Sequence, residues 1–289
     1  MMSGLPGLLS LCAWAFVQAA GASPPAAVVA VLGSELTPYQ EALSAFQERL
    51  GRPVPVYRLR DGEPRWPAGL RVVAAFGGKA ARIPIPGQAR LVYAMAPATW
   101  VKHHRGPRPV KIYLLPPPRA AMDAVAAINP GTRGLAVLWT SEAHRQYVRE
   151  LEESAKAPLW ILPVRVEAPE ELPRYLRTLP GRVDSFWVMP DPLLVDSETL
   201  PIYREFAWAN GLAFLATGAE LTRHGAAASV GVSARACGEA AARAVESILA
   251  GEEVPERVFP PDPETAVNAG SSRRSGWEMG ERSPGAKLP

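Results

Sequence analysis

From residue 27 to residue 250 the chain alternates between short runs of Val, Ala, Leu and aromatic residues and longer stretches in which apolar residues recur at helical spacing. Few folds accommodate that order. Apolar runs bounded by turn residues read as strands buried on both faces, and a helix between them must bring the chain back to the same sheet. The pattern therefore predicts parallel sheets, right-handed crossovers and helices on both faces. Strands are expected at 27–33, 54–59, 70–76, 90–95, 110–115, 134–139, 159–166, 183–189, 212–216 and 227–232. A helix is expected to start with Thr37 as N-cap and Pro38 at its first position, and Tyr39, Leu43, Phe46 and Leu50 form one apolar stripe along it. Further helices are expected at 120–128, after the cap Ser141, at 169–179, from the cap Ser197 to Asn210, and from Ser233 to Ala250, closed by Gly251.

At 289 residues, 48% of them hydrophobic, the chain can fill two modest cores. Pro116–Pro118 cannot join regular structure and marks a crossing between two lobes. Residues 5–22 are apolar and uncharged and end in Ala20-Gly21-Ala22, the pattern of a signal peptide cleaved after Ala22, with a retained membrane anchor as the alternative. Cys237 is then the one cysteine of the mature chain, and an internal disulfide is excluded. Past Pro260 the residues turn to Gly, Ser, Pro and charge, which reads as a partly disordered tail over 260–289. A net charge of +3, with no dense basic run, argues against a nucleic-acid partner.

The stretch 183–194 carries the best site candidate. Its strand ends at Pro190-Asp191-Pro192, and two fixed φ angles hold Asp191 out of strand and helix alike, at the carboxyl end of the sheet where ligands of open α/β sheets bind. Gly77-Gly78-Lys79 also follows a strand, but its spacing completes neither a dinucleotide nor a P-loop signature and reads as a close turn. His103, His104, His144 and His224 lack partners at metal-like spacing and read as solvated surface. No nucleophile or metal motif is present, so neither catalysis nor a cofactor is expected.

Four stretches, VAVLGSELTPYQEALSAF, INPGTRGLAVLWTSE, VDSFWVMPDPLLVDSETL and GAAASVGVSARACGEAAARAVESILAGEEVP, resemble the ABC-transporter substrate-binding family with the type I periplasmic-binding-protein fold, over about residues 27–260. The resemblance implies two doubly wound parallel-sheet α/β lobes with a cleft between them: 23–116 with 233–259, and 117–232. It further implies a periplasmic monomer that closes by a hinge on a small organic solute, such as a hydrophobic or aromatic amino acid, and serves a membrane permease. By position, cleft contacts would be Ser34, Tyr39, Gly77, Gly78, Thr140, Ser141, Asp191 and Thr217, and Lys79 is a further candidate for a carboxylate. Asp191 would accept an ammonium, and Tyr39, Met95, Trp139 and Met189 would supply pocket wall or core. The sequence departs from the family at Gly78-Lys79, where Gly-Thr or Gly-Ser is usual, at Trp139-Thr140, and between residues 59 and 70, where little room remains for a helix. A member of the same fold repurposed as a sensor or interaction protein is the competing expectation.

Overall fold

The computed structural model describes residues 27–101 and 106–277. The expected signal segment with Cys12, the pair His103-His104 and residues 278–289 lie outside them. In chain order, β1 (Val28–Leu32), α1 (Thr37–Leu50), β2 (Val56–Arg58), β3 (Val72–Phe76), β4 (Arg90–Ala94) and β5 (Val110–Ile112) lead to the first crossing. The second half follows as α2 (Pro118–Ile128), β6 (Gly134–Trp139), α3 (Glu142–Ser154), β7 (Trp160–Arg165), α4 (Leu172–Leu176), β8 (Ser185–Val188), α5 (Thr199–Asn210), β9 (Ala213–Ala216) and β10 (Ala228–Gly231). The chain then returns through α6 (Ala234–Ala250) and β11 (Arg257–Val258) and crosses again into β12 (Glu264–Val267) and α7 (Ala269–Arg274).

Two six-stranded sheets result, ordered β11-β5-β4-β3-β1-β2 and β12-β10-β9-β8-β6-β7. Every pair in the first is parallel, and in the second β12 alone runs antiparallel, along β10. The two-residue side-chain period divides each sheet into two cores. In the first lobe Val28, Ala30, Leu32, Val72 and Ala74 face α1 and α6. In the second, Leu135, Val137, Trp187 and Leu215 face α2 and α3, and Ala136, Leu138, Phe186 and Phe214 face α4 and α5.

The structure differs from the sequence expectation in instructive places. The remaining face of the first sheet, with Val29, Val31, Val73, Leu91 and Tyr93, is covered by 3-10 turns at 59–61 and 80–82 and by Trp66, Ile83 and Ile85, with no α-helix among the described residues. Pro64, Pro67, Pro84 and Pro86 punctuate those segments and deny a helix its N–H donors. Pro118 belongs to regular structure after all, because a proline at the first helical position loses only an N–H that would have had no partner. The helix expected at 169–179 is a 3-10 turn followed by the short α4. Thr37 lies inside α1, whose cap position is Leu36. Ser197 does not cap α5; Asp196 Oδ1 accepts from the amides of Glu198 and Thr199 instead.

Part of the stretch read as tail is regular structure. Residues 264–267 add an edge strand, and α7 follows with Asn268 Oδ1 accepting from the Ser271 amide. Trp277, 5% exposed, closes onto the second core. Composition pointed the wrong way because an edge strand needs hydrogen-bonding partners on one side only and tolerates flanking prolines.

No helix of the described residues is long and apolar enough to cross a membrane.

Candidate functional site

The carboxyl ends of both sheets open onto one cavity of about 490 Å³ between the lobes. The first lobe contributes Pro38 and Glu41 from the start of α1, and Met95 and Pro97 from the exit of β4. The second contributes Asp191, its flanking prolines and Val195 from the exit of β8, and Thr217 through Leu221 from the exit of β9. Leu114, Val232, Ser233 and Glu264, on or beside the crossing segments, complete the wall. Strand ends build this site because side chains there leave the sheet without neighbours on either hand.

Two backbone features shape it. Met95 and Ala98, neither of them glycine, sit at φ of 52° and 55°. Left-handed backbone at such residues costs on the order of 1 kcal/mol or more each and persists where surrounding structure imposes it. At the opposite wall, a Cβ on Gly231 would stand 1.7 Å from the Thr217 carbonyl oxygen, so only glycine lets β10 approach the residue that lines the cavity.

Asp191 is 2% exposed. Its Oδ1 accepts from the Leu193 amide at 3.0 Å, an Asx turn, and its Oδ2 accepts from the Thr140 hydroxyl at 2.5 Å. Its own carbonyl accepts from the amides of Leu194 and Val195. The two prolines and these bonds fix the carboxylate at the cavity wall.

Of the residues expected at the cleft, the structure brings Asp191 and Thr217 to the cavity wall, and Thr140 reaches it through Asp191. Ser34 Oγ accepts from the Leu36 amide in the turn before α1. Tyr39 packs its ring edge over Gly77, where a Cβ would lie 3.0 Å from it, and burial raises its phenol pKa. Gly77, at φ 112°, and Gly78 make the close turn after β3, Gly78 facing the Thr99 hydroxyl. Lys79 is exposed. Ser141 caps α3 and donates to the Ala98 carbonyl of the other lobe at 2.9 Å, so it acts at the seam of the lobes. Among the apolar candidates Met95 lines the cavity, whereas Trp139 and Met189 are core.

Sequence reasoning did not single out Glu41, Glu220, Ser233 or Glu264 for the site. Ser233 and Glu41 were within reach, since both follow from placing helix starts at strand ends. Glu264 gave no signal, because it sits on the strand taken for tail.

Behind the cavity, α3 lies against the first lobe. Glu150 takes Arg257 in a two-pronged pair at 2.5 and 2.9 Å, and the guanidinium stacks over Tyr113 and Phe259. Those hydrogen bonds hold the Glu150 carboxyl below its ordinary pKa. Tyr147 donates to the Pro116 carbonyl at 2.9 Å. Lys111, 4% exposed, donates to the Thr99 carbonyl at 2.8 Å and faces the Tyr113 ring; burial, then Arg257, lowers its pKa to about 7. His144, expected at the surface, is instead 2% exposed at this seam, because it falls on the buried stripe of α3 with Tyr147, Val148 and Leu151. Its Nδ1 has no hydrogen-bond partner among the described residues, and burial, then Lys111, lowers its pKa to about 4, with Asp191 opposing.

A pH dependence follows. Between about pH 6.5 and 4 the unfolded chain binds a proton at His144 that the folded chain refuses, so stability falls as pH falls through that window. The full effect is on the order of 3 kcal/mol. Relative to wild type, His144→Gln is expected to flatten the decline of Tm from pH 6.5 to 4, read by thermal melts at several pH values. An unchanged slope would show that His144 is not the group responsible.

The sequence model of a family described as ABC transporter substrate binding protein matches residues 120–274. No curated protein matches the chain. Among solved structures, the ABC domain from Streptococcus pneumonia in complex with L-Trp superposes with a TM-score of 0.61 at 15% identity, covering 90% of this chain and 97% of that one. The ligand-free, open structure of a substrate-binding protein with adhesive properties from Clostridium difficile gives 0.58 at 16% identity, over 89% and 96%. An ABC transporter solute-binding protein from Clostridium phytofermentas with bound L-rhamnose gives 0.52 at 11% identity, over 88% and 99%. At these identities the likeness is one of fold: two α/β lobes of mostly parallel strands with flanking helices.

Proposed function

The chain belongs to the ABC transporter substrate-binding protein family, and from that premise we propose that it is exported and closes its two lobes on a small organic solute, which it delivers to a membrane permease. The observation that carries the reading is the cavity of about 490 Å³, walled by the strand ends of both sheets. That volume is within the range of small-molecule pockets, and its wall mixes apolar groups with a few fixed polar ones. The moving bodies are the lobe of the first sheet, with α6 and β11, and the lobe of the second sheet, with β12 and α7. Closure needs no covalent chemistry. A solute that touches both lobes binds the closed state better than the open one, and that difference, a few kcal/mol, drives the hinge.

The chemistry of the wall supports a solute with an apolar part and an amine. Met95, Leu114, Val195 and Val232 offer apolar surface, and Asp191 offers a fixed acceptor. The N-terminus of α6 borders the cavity, and the positive end of a helix suits a carboxylate, so the amino acids are the first class to try.

A thermal-shift screen of the purified protein against amino acids, amines and sugars tests this. A solute present at one hundred times its Kd stabilises the folded form by about 2.7 kcal/mol, which is expected to raise Tm by several degrees. No shift with any solute would replace this reading by that of a fold-keeping sensor or interaction protein.

A further inference from the structure

We propose that the cleft selects organic cations, molecules whose ammonium, guanidinium or quaternary nitrogens outnumber their carboxylates; the inference rests on the solute-binding reading above. Four acidic residues line the cavity, Glu41, Asp191, Glu220 and Glu264, and among the described residues no Lys, Arg or His does. The chain as a whole carries a net charge of +3, so the acidic wall is not a reflection of composition.

Asp191 carries the argument furthest. A carboxylate removed from water is costly unless a cation or several hydrogen bonds replace the water. Asp191, nearly fully buried, has two hydrogen bonds from neutral donors and no ion pair among the described residues. His144, which interacts with it electrostatically from α3 of the same lobe, is held neutral by its burial and then by Lys111. A carboxylate also has acceptor positions beyond the two in use. The missing partner is a cation, and the side from which it can come is the cavity.

The three glutamates extend that charge toward the mouth. Glu41, Glu220 and Glu264 are exposed and make no ion pair or side-chain hydrogen bond among the described residues, so no cation of the chain offsets the charge they place at the opening. The Glu220 carboxylate folds back over Gly218, into the space a Cβ would need. Like charges held around one opening repel one another, and a cationic guest relieves the repulsion as it binds. A neutral zwitterion would use one carboxylate and leave the others unsatisfied, so an aromatic amino acid is a poorer fit than a basic amino acid or a diamine.

The test uses pairs of equal size and unequal charge: L-arginine against L-citrulline, and putrescine against 1,4-butanediol, by isothermal calorimetry on the full protein, with L-tryptophan, L-leucine and L-rhamnose as neutral comparisons. The cationic member of at least one pair is expected to bind ten-fold or more tighter than its neutral twin, with the margin shrinking as salt rises. In the triple variant Glu41→Gln, Glu220→Gln, Glu264→Gln, folded by circular dichroism, the margin is expected to shrink by about two-fold or more and to keep the share that Asp191 supplies. Binding of a neutral probe as tightly as any cation would overturn the charge assignment and leave the solute-binding reading standing. Absence of binding by every probe, neutral ones included, would overturn both. An undiminished margin in the triple variant would overturn the role of the three glutamates.

Discussion

Gly238→Val is expected to destabilise the first lobe by roughly 3 kcal/mol or more. In α6 a Cβ at this position would lie 2.0 Å from the Ala42 carbonyl oxygen and 2.9 Å from its carbonyl carbon, both in α1. These are backbone atoms and cannot rotate away. The helices must separate, and with them goes the packing of Phe46, Ala241 and Val245 over the sheet. Replacing a helical glycine by valine would by itself add only roughly a few tenths of a kcal/mol of stability, so the observed loss is a lower bound on the cost of the clash. A drop in Tm of about 6 °C or more is expected, read by calorimetry. Arg243→Ala, on the exposed face of the same helix, should change Tm little. Equal melting of wild type and Gly238→Val would mean that α1 and α6 do not meet as closely as the structure has them.

That contact shows why part of the fold was legible and part was not. β6 and α6 have the limits expected of them, because an apolar run between glycine and threonine, or a Ser cap and a closing glycine, leaves the backbone one good choice. Gly238 lies between Cys237 and Glu239 in an Ala-rich helix, and nothing local says that a second helix presses on it. The same holds at 264–274. Whether Thr265 and Val267 pair with β10 depends on an open sheet edge far away in sequence, which composition does not encode. The face of the first sheet that has no α-helix over it among the described residues was partly legible, since the span from 59 to 70 left little room for one.

In the site, legibility followed backbone chemistry. Asp191 could be placed because two prolines dictate where its strand ends, and the structure puts it at the cavity. Ser34, Gly77 and Gly78 stand at strand ends too, yet their turns fold onto neighbouring groups, Leu36, Tyr39 and Thr99. Strand position alone says that a loop lies on the ligand side of the sheet. It does not say which loop leans inward. His144 was misplaced for the complementary reason: it falls on the buried stripe of α3, at a seam where Lys111 of the other lobe acts on it.

Asp191 is where structural and binding roles must be separated, and a pair of substitutions does so. Asp191→Ala deletes the acceptor of the Thr140 hydroxyl and the Leu193 amide inside a buried turn, and stranded donors of that kind cost about 1–3 kcal/mol each. It is expected to lower Tm and to abolish solute binding together, and so cannot by itself tell a ligand contact from a collapsed loop. Asp191→Asn keeps an oxygen for the Leu193 amide and lets the Thr140 hydroxyl turn to accept, but removes the charge. Its Tm is expected to remain within a few degrees of wild type. Its affinity for a cationic solute is expected to fall at least ten-fold, since a hydrogen bond to a charged group contributes about 1.5–3 kcal/mol and each 1.4 kcal/mol is a factor of ten. Calorimetric titration of the two variants beside wild type measures both quantities. Full affinity in Asp191→Asn would reduce Asp191 to a residue that shapes the loop after β8, and would leave the glutamates at the mouth to account for any preference the cleft has.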